Sequence, residues 1–237
     1  MRPSFPAKPL ALAWVLSAAC TSEPSSPKYD PDIPSVWASS VTNQWFALEP
    51  GTVATFGALT AEGAESTRVE VLSATRSVNG VTATVVLDQV LLAGSLVEET
   101  YDWYAQDTDG NVWYLGEDSK EYENGVVVST AGSWEWGVDG ALPGIIMWSD
   151  PTAHVGEAYR QEFYEGKAED WAKVLSLNEP VAVAAGSFTG CIKTEDWNSL
   201  ASGGREHKYY CPVTGLVLEV SKRGHGNRTE LTSLTVP

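Results

Sequence analysis

The chain has 237 residues, with 31 acidic against 15 basic side chains and a formal net charge of −16. A surface this acidic repels phosphate backbones and anionic headgroups, which excludes a nucleic-acid binder. Hydrophobic residues make up 43% of the chain, enough for a real core and far above the composition of a disordered polymer.

The first segment reads as an address. Arg2 and Lys8 precede a short apolar run, Leu10 to Ala19, that ends in small residues. The run is about half the length needed to span a bilayer, so residues 1–19 are expected to be a secretory signal peptide. Ser17-Ala18-Ala19-Cys20 resembles a bacterial lipobox, in which the cysteine is lipidated and becomes the first residue. Leu16 stands four residues before Cys20 rather than the expected three, and ordinary cleavage after Ala19 is the alternative. Residues 20–34 add four prolines with Ser, Glu and Asp, a composition that forms an extended tether and no core. The predicted membrane partner is therefore a bilayer reached through the lipid on Cys20, and the predicted location is the cell envelope.

From residue 35 onward the dominant period is two. Val69 and Val71 alternate with Glu70 and Leu72. Val81, Ala83, Val85 and Leu87 alternate with Thr82, Thr84, Val86 and Asp88. Val97, Tyr101, Trp103 and Ala105 share one face, with Glu98, Thr100, Asp102 and Tyr104 on the other. Asn79-Gly80, Asp109-Gly110, Asn124-Gly125, Asp139-Gly140 and Gly203-Gly204 punctuate these runs, and such pairs favour hairpin turns because both residues tolerate positive φ. The pattern predicts an all-β, mainly antiparallel domain over 35–237, with about a dozen strands in a curved meander, half-open barrel or sandwich. Gly166 to Leu177 is the one stretch compatible with a short helix, and its alternation fits a strand equally. Proline and glycine at 141–156 mark a seam, with one continuous sheet preferred over two domains.

With Cys20 taken by lipid, Cys191 and Cys211 form an even pair in an oxidising compartment, and a disulfide between neighbouring strands is expected over free thiols. Their spacing is not that of a zinc knuckle. His154, His207 and His225 form no zinc pattern, and no nucleophile elbow, P-loop or dinucleotide fingerprint is present. Asp107, Asp109 and Asn111 alternate in a turn, as calcium ligands do, although Asp, Asn and Gly are also what hairpin turns prefer. Ca²⁺ is the only cofactor the sequence brings forward. Trp103, Tyr104, Trp113, Trp134 and Trp136 are rich in apolar area with a polar edge, and Glu135 and Asp139 stand among them as orienting groups.

Three segments carry a resemblance: Asp102 to Glu117 (DWYAQDTDGNVWYLGE), Gly132 to Ile145 (GSWEWGVDGALPGI) and Tyr159 to Asp170 (YRQEFYEGKAED). They resemble a widespread family of bacterial secreted β-sheet proteins and lipoproteins of unassigned activity. Val181, Val183, Ala185, Gly186 and Phe188, then Tyr209, Tyr210, Pro212, Gly215, Leu216 and Val217, extend the likeness through the second half. Cys211 departs from it, where a small residue such as Ala is expected. The resemblance implies an exported β-sheet protein and no particular chemistry.

The function these residues predict is a non-enzymatic binding or structural module on the cell envelope, in which Trp103, Tyr104, Trp113, Trp134, Glu135, Trp136 and Asp139 would hold a small-molecule, sugar or protein ligand. A polysaccharide hydrolase using Glu135 and a second carboxylate is one alternative, since glycoside cleavage needs two carboxyl groups at a set separation. A binding protein stabilised by calcium is the other.

Overall fold

The computed structural model describes residues 29–200, 204–222 and 227–237. The leader, Cys20, the first part of the tether, Gly203 and His225 lie outside the described residues.

Alternating sequence becomes alternating burial. Along Val81-Thr82-Ala83, the outer two side chains are buried and the threonine between them is exposed. Among the described residues this gives seventeen strands: β1 (Thr42–Asn43), β2 (Phe46–Ala47), β3 (Val53–Leu59), β4 (Ala64–Val78), β5 (Val81–Leu92), β6 (Ser95–Gln106), β7 (Val112–Glu123), β8 (Val126–Ser129) and β9 (Trp134–Glu135), then β10 (Leu142–Met147), β11 (Ala158–Arg160), β12 (Glu162–Phe163), β13 (Asp170–Val183), β14 (Gly186–Asn198), β15 (Arg205–Cys211), β16 (Gly215–Ser221) and β17 (Arg228–Thr235). Among the described residues, helix is confined to a single 3-10 turn at Pro151–His154. The segment with ambiguous helical character enters β13 and is extended from Asp170 onward, where Trp171 pairs with Trp197 of β14. The β4–β5 hairpin turns on Asn79 (φ 46°) and Gly80 (φ 85°), the pair of positive φ values that matches the twist of the flanking strands.

All pairings within the named strands are antiparallel. One large sheet runs β11-β13-β14-β15-β16-β17-β3-β4-β5-β6-β7-β10-β12, with β8 and β9 also paired to β7 and β1–β2 forming a separate hairpin. Two meanders, β3–β7 and β13–β17, are thus joined where the last strand lies beside β3, with Leu231 opposite Phe56. The seam near 141–156 does not break this sheet. It contributes β10 and then carries the chain to the far edge.

The two edge strands, β11 and β12, are consecutive in the chain and separated only by Gln161. They do not pair with each other, so the sheet is not closed as a barrel. One short segment nevertheless holds both edges, with Tyr159 opposite Ala172 of β13 and Glu162 opposite Pro143 of β10. Gly144 permits this approach: a Cβ there would sit 2.5 Å from the Arg160 carbonyl oxygen and the Gln161 carbonyl carbon.

Two main cores stabilise the sheet. Val81, Val85, Trp103, Trp113, Leu115 and Ile145 pack with Tyr159, Ala172 and Val174. Phe56, Val181, Val217, Leu218 and Leu231 pack around Cys191 and Cys211, which form a disulfide with Cα atoms 4.1 Å apart.

Candidate functional site

Between the inner face of the sheet and the β1–β2 hairpin lies a cavity of about 240 Å³. Its walls are apolar over most of their area, with Ala54 and Phe56 of β3, Val69 and Val71 of β4, Val86 of β5, Ile146 of β10 and Leu234 of β17. Phe46 and Leu48 cover it from the hairpin. Polar side chains fix that cover in place. Gln106 Oε1 accepts from the backbone N–H groups of Thr42 (2.8 Å) and Asn43 (2.9 Å). The Asn43 amide donates to the carbonyls of Gly110 (2.9 Å) and Trp148 (3.1 Å). Phe46 then packs edge-on against Tyr104, with ring centroids 5.2 Å apart.

The remaining wall is charged. Asp88 on β5, Asp102 on β6, Lys208 on β15 and Glu219 on β16 line the cavity with Tyr104 and Tyr210. Register explains the grouping. Val86 lies opposite Asp102, so Asp88 is the diagonal neighbour of Asp102 on one face, and Lys208 lies opposite Glu219. Lys208 is surrounded by acids: its Nζ is 3.1 Å from Glu206, 3.4 Å from Glu219 and 3.8 Å from Asp196. The carboxylates around it raise its pKa against the opposing effect of burial. Asp88 makes no ion pair with it, although the Lys208 charge offsets part of the rise in the Asp88 pKa, and Asp88 Oδ1 is shut off from solvent without a hydrogen bond among the described residues.

These acids hold protons at unusually high pH. Burial, then the nearby charges of Asp102, Glu98 and Glu219, push Asp88 up to about 8. Burial and Glu117 push Asp102 up to about 7, and burial raises Glu117 to about 7. Tyr114 joins the latter two: its hydroxyl is 2.5 Å from Asp102 Oδ1 and 3.0 Å from Glu117 Oε2. Burial likewise raises Asp196 to about 6, and pushes Glu162 well above the usual carboxylate range although its Oε2 accepts from the Trp134 indole at 2.6 Å. Such a group can bind a cation, hold a proton or pass one between carboxyls.

The aromatic residues singled out in the sequence do not converge on this cavity, with one exception. Tyr104 lines it and stacks on Tyr114 at 4.9 Å. Trp103 (4% exposed) and Trp113 (6%) are core side chains, with Trp136 packed against the same cluster. Trp134 (4% exposed) belongs to a different cluster with Tyr114 and Ala141. Their apolar area is spent on packing because the strands that carry them are covered on that face. Glu135 pairs with Arg76 at 2.6 Å, and the Arg76 guanidinium lies 3.9 Å over the Trp103 ring. Asp139 is exposed in a turn with φ 50°.

The turn at Asp107 is held by nitrogen donors. Asp107 Oδ1 accepts from the Asn111 backbone N–H (2.8 Å), and Oδ2 accepts from the Asn111 amide and the Trp113 indole, both at 2.9 Å. Asn111 Oδ1 accepts from Ser149 N–H at 3.0 Å, and Asp109 is exposed. Among the described residues, no three His, Cys, Asp or Glu side chains group as a metal site.

Sequence reading missed Asp88, Asp102, Lys208 and Glu219 as site residues. The signal was present in the strands: Glu219 stands inside GLVLEVS and Asp88 inside VVLDQVLL, each a charge within an apolar run. What was missing is the pairing of strands distant in the chain, which alone brings residue 88 near residue 219.

The fold and this cavity define an all-β protein with an open antiparallel sheet wrapped around a partly acidic interior. No protein-family model matches the sequence, and no curated protein matches it. Among solved structures, the chain is similar to a Bacteroides fragilis protein described as exported and YmcC-like in fold, at 15% identity and a TM-score of 0.49, covering 82% of this chain and 100% of that one. It is also similar to a Parabacteroides distasonis protein described as a lipoprotein, at 13% identity and a TM-score of 0.38, covering 81% of this chain and 99% of that one.

Proposed function

We propose that this chain is an exported, lipid-anchored envelope protein whose β domain binds a small amphipathic molecule in the cavity beneath the β1–β2 hairpin. The observation that carries the reading is the cavity itself, with apolar walls from β3, β4, β5, β10 and β17 and a charged wall built by Asp88, Asp102, Lys208 and Glu219. Small-molecule sites are concave, mostly apolar and provided with a few fixed polar groups, and this cavity has each property. Export and anchoring rest on Arg2, Lys8, the apolar run to Ala19, Cys20 and the proline-rich tether. The buried Cys191–Cys211 disulfide fits an oxidising compartment.

The test is native mass spectrometry of the protein purified from cell envelopes beside an Ala54→Phe variant, whose added ring fills the cavity. A small-molecule mass carried by the parent and absent from the variant supports the reading. The same mass in both puts the ligand elsewhere and overturns it.

A further inference from the structure

The charge balance of the cavity selects among ligands. Lys208 is already matched by Glu206, Glu219 and Asp196 within 3.8 Å. Asp88 and Asp102 make no ion pair among the described residues; the Lys208 charge reaches both, but as the weakest influence behind burial and the acids around them. The Asp102 carboxyl accepts the hydroxyl proton of Tyr114, which Glu117 also approaches. An anionic ligand would meet Asp88, Asp102 and Glu219 at once. Above pH 8, where Asp88 is ionised, a neutral apolar ligand would leave its carboxylate without a partner, a costly arrangement in a low-dielectric interior. A cation resolves both problems. On adjacent antiparallel strands, diagonal neighbours such as Asp88 and Asp102 lie about 7–8 Å apart at the backbone, a span one ammonium group can bridge. Volume sets the remainder: a cavity of about 240 Å³ admits only a small ligand.

Building on the cavity reading above, we propose that the ligand is a small primary amine with an apolar body, its ammonium group held between Asp88 and Asp102 and its body against Phe56, Val71 and Val86. Binding then carries a proton signature. Asp88, raised to about 8 by burial, is largely protonated at pH 6 and must ionise to pair with the ammonium. An alkylamine resembles a lysine side chain and stays charged well above that pH. Affinity for the amine therefore strengthens as pH rises from 6 to 8.5.

The test is calorimetric titration of the full-length protein with heptan-1-amine, heptan-1-ol and heptanoate at pH 8.5. The amine is expected to bind at least about tenfold more tightly than the alcohol, with heptanoate weakest, because a charge-assisted bond replaces an unpaired charge. In the Asp88→Asn, Asp102→Asn double variant, that advantage should shrink to about threefold or less while alcohol binding persists. If the double variant fails to fold, the pH profile of the parent decides: amine affinity that does not rise between pH 6 and 8.5 overturns the proposal. Alcohol or heptanoate binding as tightly as the amine overturns the ligand class but leaves the binding reading standing. Binding by none of the three overturns both.

Discussion

The hydroxyl of Tyr114 lies 2.5 Å from Oδ1 of Asp102 and shares its single proton with Glu117, 3.0 Å away on the other side. One hydrogen cannot serve two ionised carboxylates, so the trio retains an additional proton near neutrality. The same holds more broadly for the buried acids. Asp88, Asp102, Glu117 and Asp196 have pKa values raised to about 8, 7, 7 and 6, in each case chiefly by burial. Each binds its proton more tightly folded than unfolded. Their contribution to stability is therefore whole below about pH 4 and is lost as pH rises through 6 to 8.

The first prediction follows from that slope. Glu169 and Glu195, whose pKa values hydrogen bonds lower, lose stability only below the ordinary carboxylate range. His207, lowered by burial, slopes the opposite way just below 6.5, one group against eight carboxyls raised by burial. The melting temperature at pH 5 should exceed that at pH 8.5 by on the order of 5 °C, with a flatter profile in Asp88→Asn. A protein that grows more stable between pH 5 and 8.5 contradicts the buried-acid account.

Cys191 and Cys211 are both essentially unexposed and centre the second core, closing a loop of sequence separation 20. Constraining the unfolded chain at that span is worth about 3 kcal/mol. Replacing both with Ala should lower the melting temperature by about 6–12 °C, as read by calorimetry. Free-thiol labelling of the folded, non-reduced protein at these positions would contradict the bridge.

Much of the fold was legible because period-two patterning and Asn-Gly turns are local signals. Val81, Ala83 and Val85 face the core as their alternation requires, and the turn at Asn79-Gly80 forms where both residues can adopt positive φ. The Cys191–Cys211 pair followed from parity and compartment. The site was legible only in part. Tyr104 lines the cavity, yet Trp103, Trp113 and Trp134 are packing residues, since an aromatic at strand spacing reads the same whether its face is covered or open. Pairing between residues 88 and 102 is local to one hairpin, whereas Lys208 and Glu219 reach the cavity only because β17 lies beside β3.

The turn at Asp107 gives a third prediction. With three N–H donors satisfied by one carboxylate, Asp107→Ala strands the buried Trp113 indole and the Asn111 N–H, at a cost of about 2–4 kcal/mol. A chelator should leave the melting temperature unchanged. A drop on adding EDTA would instead place calcium at Asp107, Asp109 and Asn111.

Gly144 gives a fourth. A methyl group there would stand 2.5 Å from two backbone atoms of the segment that holds both sheet edges. The variant Gly144→Ala must push Arg160 and Gln161 outward, and should lower stability by about 2–4 kcal/mol. Hydrogen exchange at Tyr159 and Glu162 should quicken with it. Unchanged exchange and melting would show that the edges are held elsewhere.

The most direct test of the central claim is a crystal structure of the protein grown with heptan-1-amine at pH 8.5. The account predicts the amine inside the cavity, its nitrogen at hydrogen-bond distance, about 3 Å, from a carboxylate oxygen of Asp88 or Asp102. An amine bound at another surface, beside a cavity that holds only water, would contradict it.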